Sequence, residues 1–184
     1  MLEVEMKFPL DDFAAVESRL AAADARQVRA RQEIDHYFNA PDRDFARTDE
    51  ALRIRRIGSA NFVTYKGPKQ DAQTKTRTEI EVPLAESAAT AEDFARLLTH
   101  LGYRPVAVVQ KQRRIYHLER GTFSLEVSLD EVQSVGRFVE IEILAPEERL
   151  DDARRVVQEL ATTLGLTTSE RRSYLELLLE GRKP

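Results

Sequence analysis

The chain opens MLEVEMKF, and from Leu2 onward apolar and charged residues alternate without a miss. Leu2, Val4, Met6 and Phe8 fall on one side, and Glu3, Glu5 and Lys7 on the other. Period-two alternation marks a β-strand with one buried face. A solvated strand face normally mixes in Thr, Ser or Gln, and taken alone this strand would still be read as one side of a sheet facing water. The pattern recurs along the chain, however. Arg53 and Arg55 alternate in ALRIRRIG, and Lys66 stands in NFVTYKGP. Arg77, Glu79 and Glu81 share a face of RTEIEVPL, and Lys111 and Arg113 share one in VVQKQRRIYHL. Glu126 and Asp130 alternate in TFSLEVSLDEV, as do Glu140 and Glu142 in GRFVEIEIL. Acids cluster on some strands and bases on others, which an assorted solvent face does not do.

The order of segments also repeats. The first strand is followed by LDDFAAVESRLAAAD, with Phe13, Val16 and Leu20 at helical spacing and Asp11 or Asp12 as a cap. Next come an extended stretch, QEIDHYFNAP, and two strands joined around Gly58 and Ser59. From residue 77 the series starts again: RTEIEVPL, the helix EDFARLLTHLGY, then three extended segments, with Tyr116 matching Tyr37. The period is too long for a solenoid and predicts two pseudo-symmetric halves, about 1–70 and 77–145, in one domain spanning 1–184. Two helical segments over about 147–181 complete it.

Eight strands with few helices must hide their edges, and closure is the complete solution. The expectation is an α+β protein built on an eight-stranded antiparallel β-barrel with helices packed outside. The amphipathic helices cover the apolar strand faces, so the charged faces must point inward and line a tunnel. Two carboxylates about 7 Å apart on one strand face repel by roughly 2 kcal/mol at an effective dielectric of about 20. Grouped acids are thus a natural place for a divalent cation. With oxygen donors only, the expected metal is Mg²⁺ or Mn²⁺. Grouped Arg and Lys call for a polyanion, and guanidinium forks suit phosphate oxygens. Glu3, Glu5 and Lys7 are read as part of a metal and phosphate site.

Composition limits the alternatives. The net charge of −4 over 184 residues argues against a protein that coats nucleic acid. The chain has no cysteine, which removes disulfides, thiolate nucleophiles and zinc-thiolate sites. That is compatible with the expected cytoplasmic location. No apolar run approaches membrane-spanning length. His36, His100 and His117 lack metal-ligand spacing and are read as ordinary positions; Tyr37 and Tyr116 are read as packing residues. Ser173 is read as a helix cap, there being no His–Asp partner set to make it a nucleophile.

The ordered set of motifs resembles the CYTH superfamily, the triphosphate tunnel metalloenzymes. It comprises Glu3-Val-Glu5-Met-Lys7, DHYF at 35–38, LRIR at 52–55, TYKGP at 64–68, RTEIEV at 77–82, KQRR at 111–114, Asp130 with Gly136 and Glu140-Ile-Glu142, and the closing RRSYLELL. DEALRIRR, TYKGP and SYLELL are most similar to the class IV adenylyl cyclase (CyaB-like) branch, which implies conversion of ATP to cyclic AMP and pyrophosphate. Other members hydrolyse inorganic triphosphate, thiamine triphosphate or RNA 5′ ends. The resemblance implies Glu3, Glu5, Glu140 and Glu142 as metal ligands, with Glu79 and Glu81 as further candidates. It implies Lys7, Arg53, Arg55, Lys66, Arg77, Lys111 and Arg113 as holders of the triphosphate. Lys7, Arg53, Lys66, Lys111, Arg113 and Asp130 are the catalytic candidates. A nucleoside triphosphate or another triphosphate is the expected substrate, and a homodimer is compatible with related proteins. Cyclase and hydrolase chemistry share nearly all these charged residues, and a polyphosphate-binding protein without turnover is a third reading.

Overall fold

Segments rich in Val, Ile and Phe in period-two alternation become eight antiparallel strands in a computed structural model that describes residues 2–69 and 77–181. The strands are β1 (Leu2–Leu10), β2 (Arg26–Asn39), β3 (Ala51–Ile57), β4 (Ala60–Lys66), β5 (Glu79–Leu84), β6 (Arg104–Arg120), β7 (Phe123–Val132) and β8 (Gly136–Ala145). The helices are α1 (Ala14–Ala22), α2 (Phe45–Thr48), α3 (Ala88–His100), α4 (Leu150–Thr163) and α5 (Tyr174–Glu180). The end of the first expected repeat, at residue 70, lies outside the described residues, as do the first and last residues of the expected domain. None of the helices among the described residues is long and apolar enough to cross a membrane.

The strands form one curled sheet in the order β1-β8-β7-β6-β2-β3-β4-β5. Exchanging β1–β4 with β5–β8 turns this order into its own reverse, so the topology carries a pseudo-twofold through the β2·β6 pair. Among the described residues the barrel is not closed by a full ladder. Its edges meet there at a single bridge, Glu3 to Arg77, and Lys66 on β4, next to the edge strand, pairs across to Glu3 on β1 at 3.0 Å. Gly58 (φ +59°) and Gly121 (φ +60°) sit in tight connections between antiparallel strands, where an L side chain would be strained.

The apolar strand faces point outward under helices. Val4, Phe8, Val139 and Ile141 pack with Val157, Leu160 and Leu164 of the α4 region and with Val16 and Leu20 of α1. On the other half, Phe38 and Ile54 pack against Leu98 of α3. The amphipathic repeat of LDDARRVVQELATT explains this seating, because Leu150, Ala153, Val157, Leu160 and Ala161 form its buried stripe. The charged faces therefore point inward, and Lys7 retains only 1% of its exposure.

Two local features depart from the sequence reading. After the extended stretch ending at Pro41, the chain forms α2 at Phe45–Thr48, a single turn with Asp44 as its cap, accepting from Ala46 N. The last helix begins only at Tyr174, where Ser173 and Glu176 form a capping box, as expected of Ser173. Its residues Tyr174 and Leu178 pack with Tyr37, Val109, Val132 and Phe138, all on inward-facing positions, so α5 seals one end of the tunnel. If α4 clamps the β1·β8 face as described, Leu160→Ala will cost roughly 2–5 kcal/mol in chemical denaturation with an unchanged m-value.

Candidate active site

The tunnel is a cavity of about 380 Å³, lined among others by Glu3, Glu5, Lys7, Arg53, Arg55, Lys66, Arg77, Glu79, Glu81, Lys111, Arg113, Glu140 and Glu142. Every residue expected at the metal and phosphate sites thus faces one space, while Asp130, expected only as a catalytic candidate, is not in the lining.

The basic wall is built on fixed pairs. Arg55 forks onto Asp35, with Nε and Nη2 both 2.7 Å from its carboxylate oxygens, and Arg53 reaches the same group at 3.4 Å. Arg113 donates to Asp130 through Nε at 2.7 Å and also pairs with Glu140. Lys111 stands between Asp130, at 3.3 Å, and Glu33, at 3.2 Å. Tyr174 of α5 donates to Asp130 at 2.8 Å. Burial opposes ionisation of Glu33, but Lys111, Arg113, Arg55 and Arg31 hold its carboxyl far below the ordinary range. Asp35 is likewise held low against its burial by Arg53 and Arg55. These carboxylates fix the cations in forked geometry, and such pairs are more directional than a lysine ammonium.

Glu33 and Asp35 escaped the sequence reading. Arg31, Glu33 and Asp35 do alternate on one face of β2, but their outward neighbours Gln32 and His36 are exposed and polar. Between those two only Ile34 is apolar and half-buried, so the apolar half of the signal is weak. Glu33 is nevertheless fully buried.

The acidic wall is arranged differently. Glu5 is the cross-strand partner of Glu142, and Glu142 that of Glu126, which puts three carboxylates in a row across β1, β8 and β7. Withdrawal from water, with Glu3, Glu5 and Glu126 adding repulsion against the pull of Lys66, pushes the Glu142 carboxyl well above its usual value. Burial raises Glu3 as well, against Lys66. Glu79, despite burial, is held at about 2 by a hydrogen bond with Glu3 and by Lys66 and Arg53. Lys66 bridges Glu3 and Glu79, at 3.0 and 2.5 Å. Glu81 accepts from Thr64 Oγ1 at 3.0 Å.

Among the described residues no group of three or more Asp, Glu, His or Cys side chains is already arranged to hold a metal ion. The donor chemistry of the row still fits one. A hard cation would relieve the repulsion that adds to burial in raising Glu142, and the row offers carboxylate oxygens. Of the expected ligands, Glu5 and Glu142 stand in the row, Glu3 is shared with Lys66, and Glu140 pairs with Arg113. Glu126, on the charged face but not in the expected metal set, completes the row.

Lys7 shares the Tyr174 ring with Lys111, whose Nζ lies 5.2 Å from its centre. It donates to the Arg172 carbonyl and sits 4.2 Å from the centre of the Tyr174 ring. Arg53 Nε and Arg77 Nε are buried and, among the described residues, have no acceptor. His36 and His117 are exposed, His117 pairing with Glu126 at 3.4 Å. Tyr37 and Tyr116 are both packing residues, in clusters at the sealed end and under α1.

A tunnel with one acidic and one basic wall, opened by an ExExK strand, can be compared with known proteins. The CYTH domain model matches residues 1–174. The chain belongs to the CYTH domain family. It is 37% identical over 180 residues to the protein MJ0240 of Methanocaldococcus jannaschii, covering 96% of this chain and 98% of that protein. Adenylate cyclase CyaB of Aeromonas hydrophila is 35% identical over 181 residues, covering 95% of this chain and 87% of the relative. Among solved structures, the PH1819 protein of Pyrococcus horikoshii OT3 superposes with a TM-score of 0.86 at 39% identity, covering 98% of this chain and 99% of that one. The CYTH membership agrees with the resemblance carried by the motifs.

The asymmetry between the walls has measurable consequences. Because Glu142 binds its proton more tightly folded than unfolded, its penalty is absent below about pH 4.5 and grows as pH rises from there. Glu142→Gln should therefore raise the metal-free melting temperature at pH 7 by roughly 2–4 °C, with the gap closing in acid. Asp35 behaves oppositely. Its folded value lies below the ordinary 3.8, so its contribution is present above that pH and is lost as pH falls further. Asp35→Asn should cost roughly 3–5 kcal/mol at pH 7, and less as both proteins are titrated below pH 3.8.

Proposed function

We propose that the protein is a metal-dependent triphosphate-processing enzyme of the class IV adenylyl cyclase type, converting ATP to cyclic AMP and pyrophosphate. The observation that carries the triphosphate reading is the pair of guanidinium Nε donors that have no acceptor among the described residues. A buried N–H without an acceptor is costly, and both Arg53 Nε and Arg77 Nε lie on side chains lining the tunnel. Phosphate oxygens supply the missing acceptors. The similarity to CyaB over nearly the whole chain supports the cyclase reading over other triphosphate chemistry.

In this reading Arg53, Arg77, Lys111 and Arg113 grip the phosphate chain, with Lys66 at its acidic margin. Glu33, Asp35 and Asp130 position those cations without touching the substrate. Glu5, Glu142 and Glu126, with Glu3, are the groups that would hold Mg²⁺ or Mn²⁺. When bound, the cation supplies charge neutralisation for the phosphate oxygens. The ribose 3′-oxygen forms a bond to the α-phosphorus as the bridging bond to the β-phosphate breaks, and the 3′-hydroxyl proton is released. Negative charge grows on the departing pyrophosphate, where the fixed guanidinium groups stabilise it without reorganising.

A product assay with ATP, inorganic triphosphate and thiamine triphosphate, each with Mg²⁺ or Mn²⁺, tests the reading. Cyclic AMP with equimolar pyrophosphate is the expected outcome from ATP. Orthophosphate without cyclic AMP would make the protein a hydrolase on the same tunnel, and tight binding of all three without turnover would make it a sensor. Glu5→Gln and Arg53→Ala should each lower turnover by about 100-fold or more while circular dichroism stays unchanged. Full activity in both would remove the tunnel from the mechanism.

A further inference from the structure

Three of the cations assigned to the triphosphate converge on one side chain that no strand supplies. Tyr174, the first residue of α5, is buried, and its ring centre lies 4.2 Å from the Lys7 ammonium and 5.2 Å from that of Lys111. Ammonium groups are drawn to the electron-rich face of a ring, most strongly where water is excluded. The Tyr174 hydroxyl donates to Asp130 at 2.8 Å. The same carboxylate takes Arg113 Nε at 2.7 Å and Lys111 Nζ at 3.3 Å. Burial, with Glu140 and Asp130 close by, holds the phenol well above its usual pKa, so the group stays protonated and remains a donor.

Asp130 has none of its surface in contact with water, so a hydrogen bond lost there is not replaced by solvent. Its two oxygens are divided among a guanidinium, an ammonium and a phenol. Without the phenol the carboxylate turns toward Lys111, and the Arg113 fork turns with it. Lys7 is tied to the same stretch of chain at both ends. Its carbonyl accepts from Glu170 N at 2.7 Å, and its ammonium donates to the Arg172 carbonyl. The capping box of Ser173 and Glu176 fixes the turn from which Tyr174 projects.

We infer that Tyr174 is a positioning residue of the tunnel: its hydroxyl sets Arg113 through Asp130, and its ring sets Lys7 and Lys111. It acts on the phosphate chain only through these cations. The inference rests on the triphosphate reading and adds that the strength of the grip is set from the last helix.

The test separates the hydroxyl from the ring. Tyr174→Phe keeps the ring and its packing on Phe138, 5.1 Å away between centroids, and removes only the hydroxyl. In the ligand-free full chain, solvent exchange of the Arg113 Nε–H, followed by nitrogen NMR and assigned with Arg113→Lys, should become about 10-fold faster. The Arg55 Nε–H, in a fork on Asp35 shared with Arg53, should keep its rate. Titration with the bismethylene analogue of inorganic triphosphate and Mg²⁺ then reads the grip. Tyr174→Phe should weaken binding by about 5-fold, and Tyr174→Leu, which takes the ring from both ammonium groups, by about 30-fold. Tyr174→Met, also without a ring, replaces the leucine variant if that one does not fold.

A side chain that only packed α5 would lower the melting temperature of these variants. It would leave the affinity of the folded protein and the ratio of Arg113 to Arg55 exchange in place. The inference is overturned if Tyr174→Phe leaves that ratio or the affinity unchanged. It is also overturned if the ringless variant binds as tightly as Tyr174→Phe. Failure of the unmodified chain to bind the analogue would instead remove the triphosphate reading, and this inference with it.

Discussion

Charge on the concave side of a sheet can be kept only if each cation has a carboxylate close enough to offset its lost hydration. Here Asp35 and Asp130 are the anchors. Each lies almost wholly out of water, and each takes a guanidinium fork, from Arg55 and Arg113. They lie on β2 and β7, on either side of β6, and Lys111 on β6 ties Asp130 to Glu33 on β2. The paired strands thus carry an ionic lattice between them. Without it the inward arginines would repel one another and turn toward the tunnel mouths. With it they stand at fixed positions before any ligand arrives, which is the condition for electrostatic preorganisation.

The two walls differ in how completely they are neutralised. On the basic side the anchoring carboxylates are ionised well below their usual range, a sign that local positive potential exceeds what burial removes. On the acidic side burial, with repulsion from Glu3, Glu5 and Glu126 adding to it, pushes Glu142 in the opposite direction. Lys66 relieves part of this but is shared between Glu3 and Glu79. A metal triphosphate complex offers what each wall lacks: anionic oxygens for the cations and a cation for the carboxylates. The acidic wall of the folded state therefore carries an electrostatic cost that such a complex would offset, as expected where stability is given up to a site.

Much of this was legible in the chain because one pattern reports two faces at once. In LEVEMKF the apolar residues locate the helix-covered surface and the charged residues locate the tunnel, so strand, orientation and lining emerge together. The signal fails where the outer face carries exposed polar side chains. On β2 the outward residues Gln32 and His36 are exposed, and the inward Glu33 and Asp35 then look like any polar stretch. Pairing was a second gap. Glu126 and Glu142 are 16 residues apart in the sequence, and only the β7·β8 register places them side by side. Periodicity assigns a side chain to a face, but register decides its neighbours.

The apolar end of the cavity follows from the same rule applied to the last helix. Tyr174 gives its hydroxyl to Asp130 while its ring packs on Phe138, 5.1 Å away between centroids. One residue therefore joins the buried ionic lattice to the hydrophobic seal. Once Tyr174 is fixed and Ser173 and Glu176 cap the turn, the helical repeat carries Leu178 inward to the cluster. Leu175 and Leu179, one turn apart on the adjoining strip, are left lining the cavity. A helix that seals a charged tunnel with an apolar face must present an apolar margin wherever the seal is incomplete.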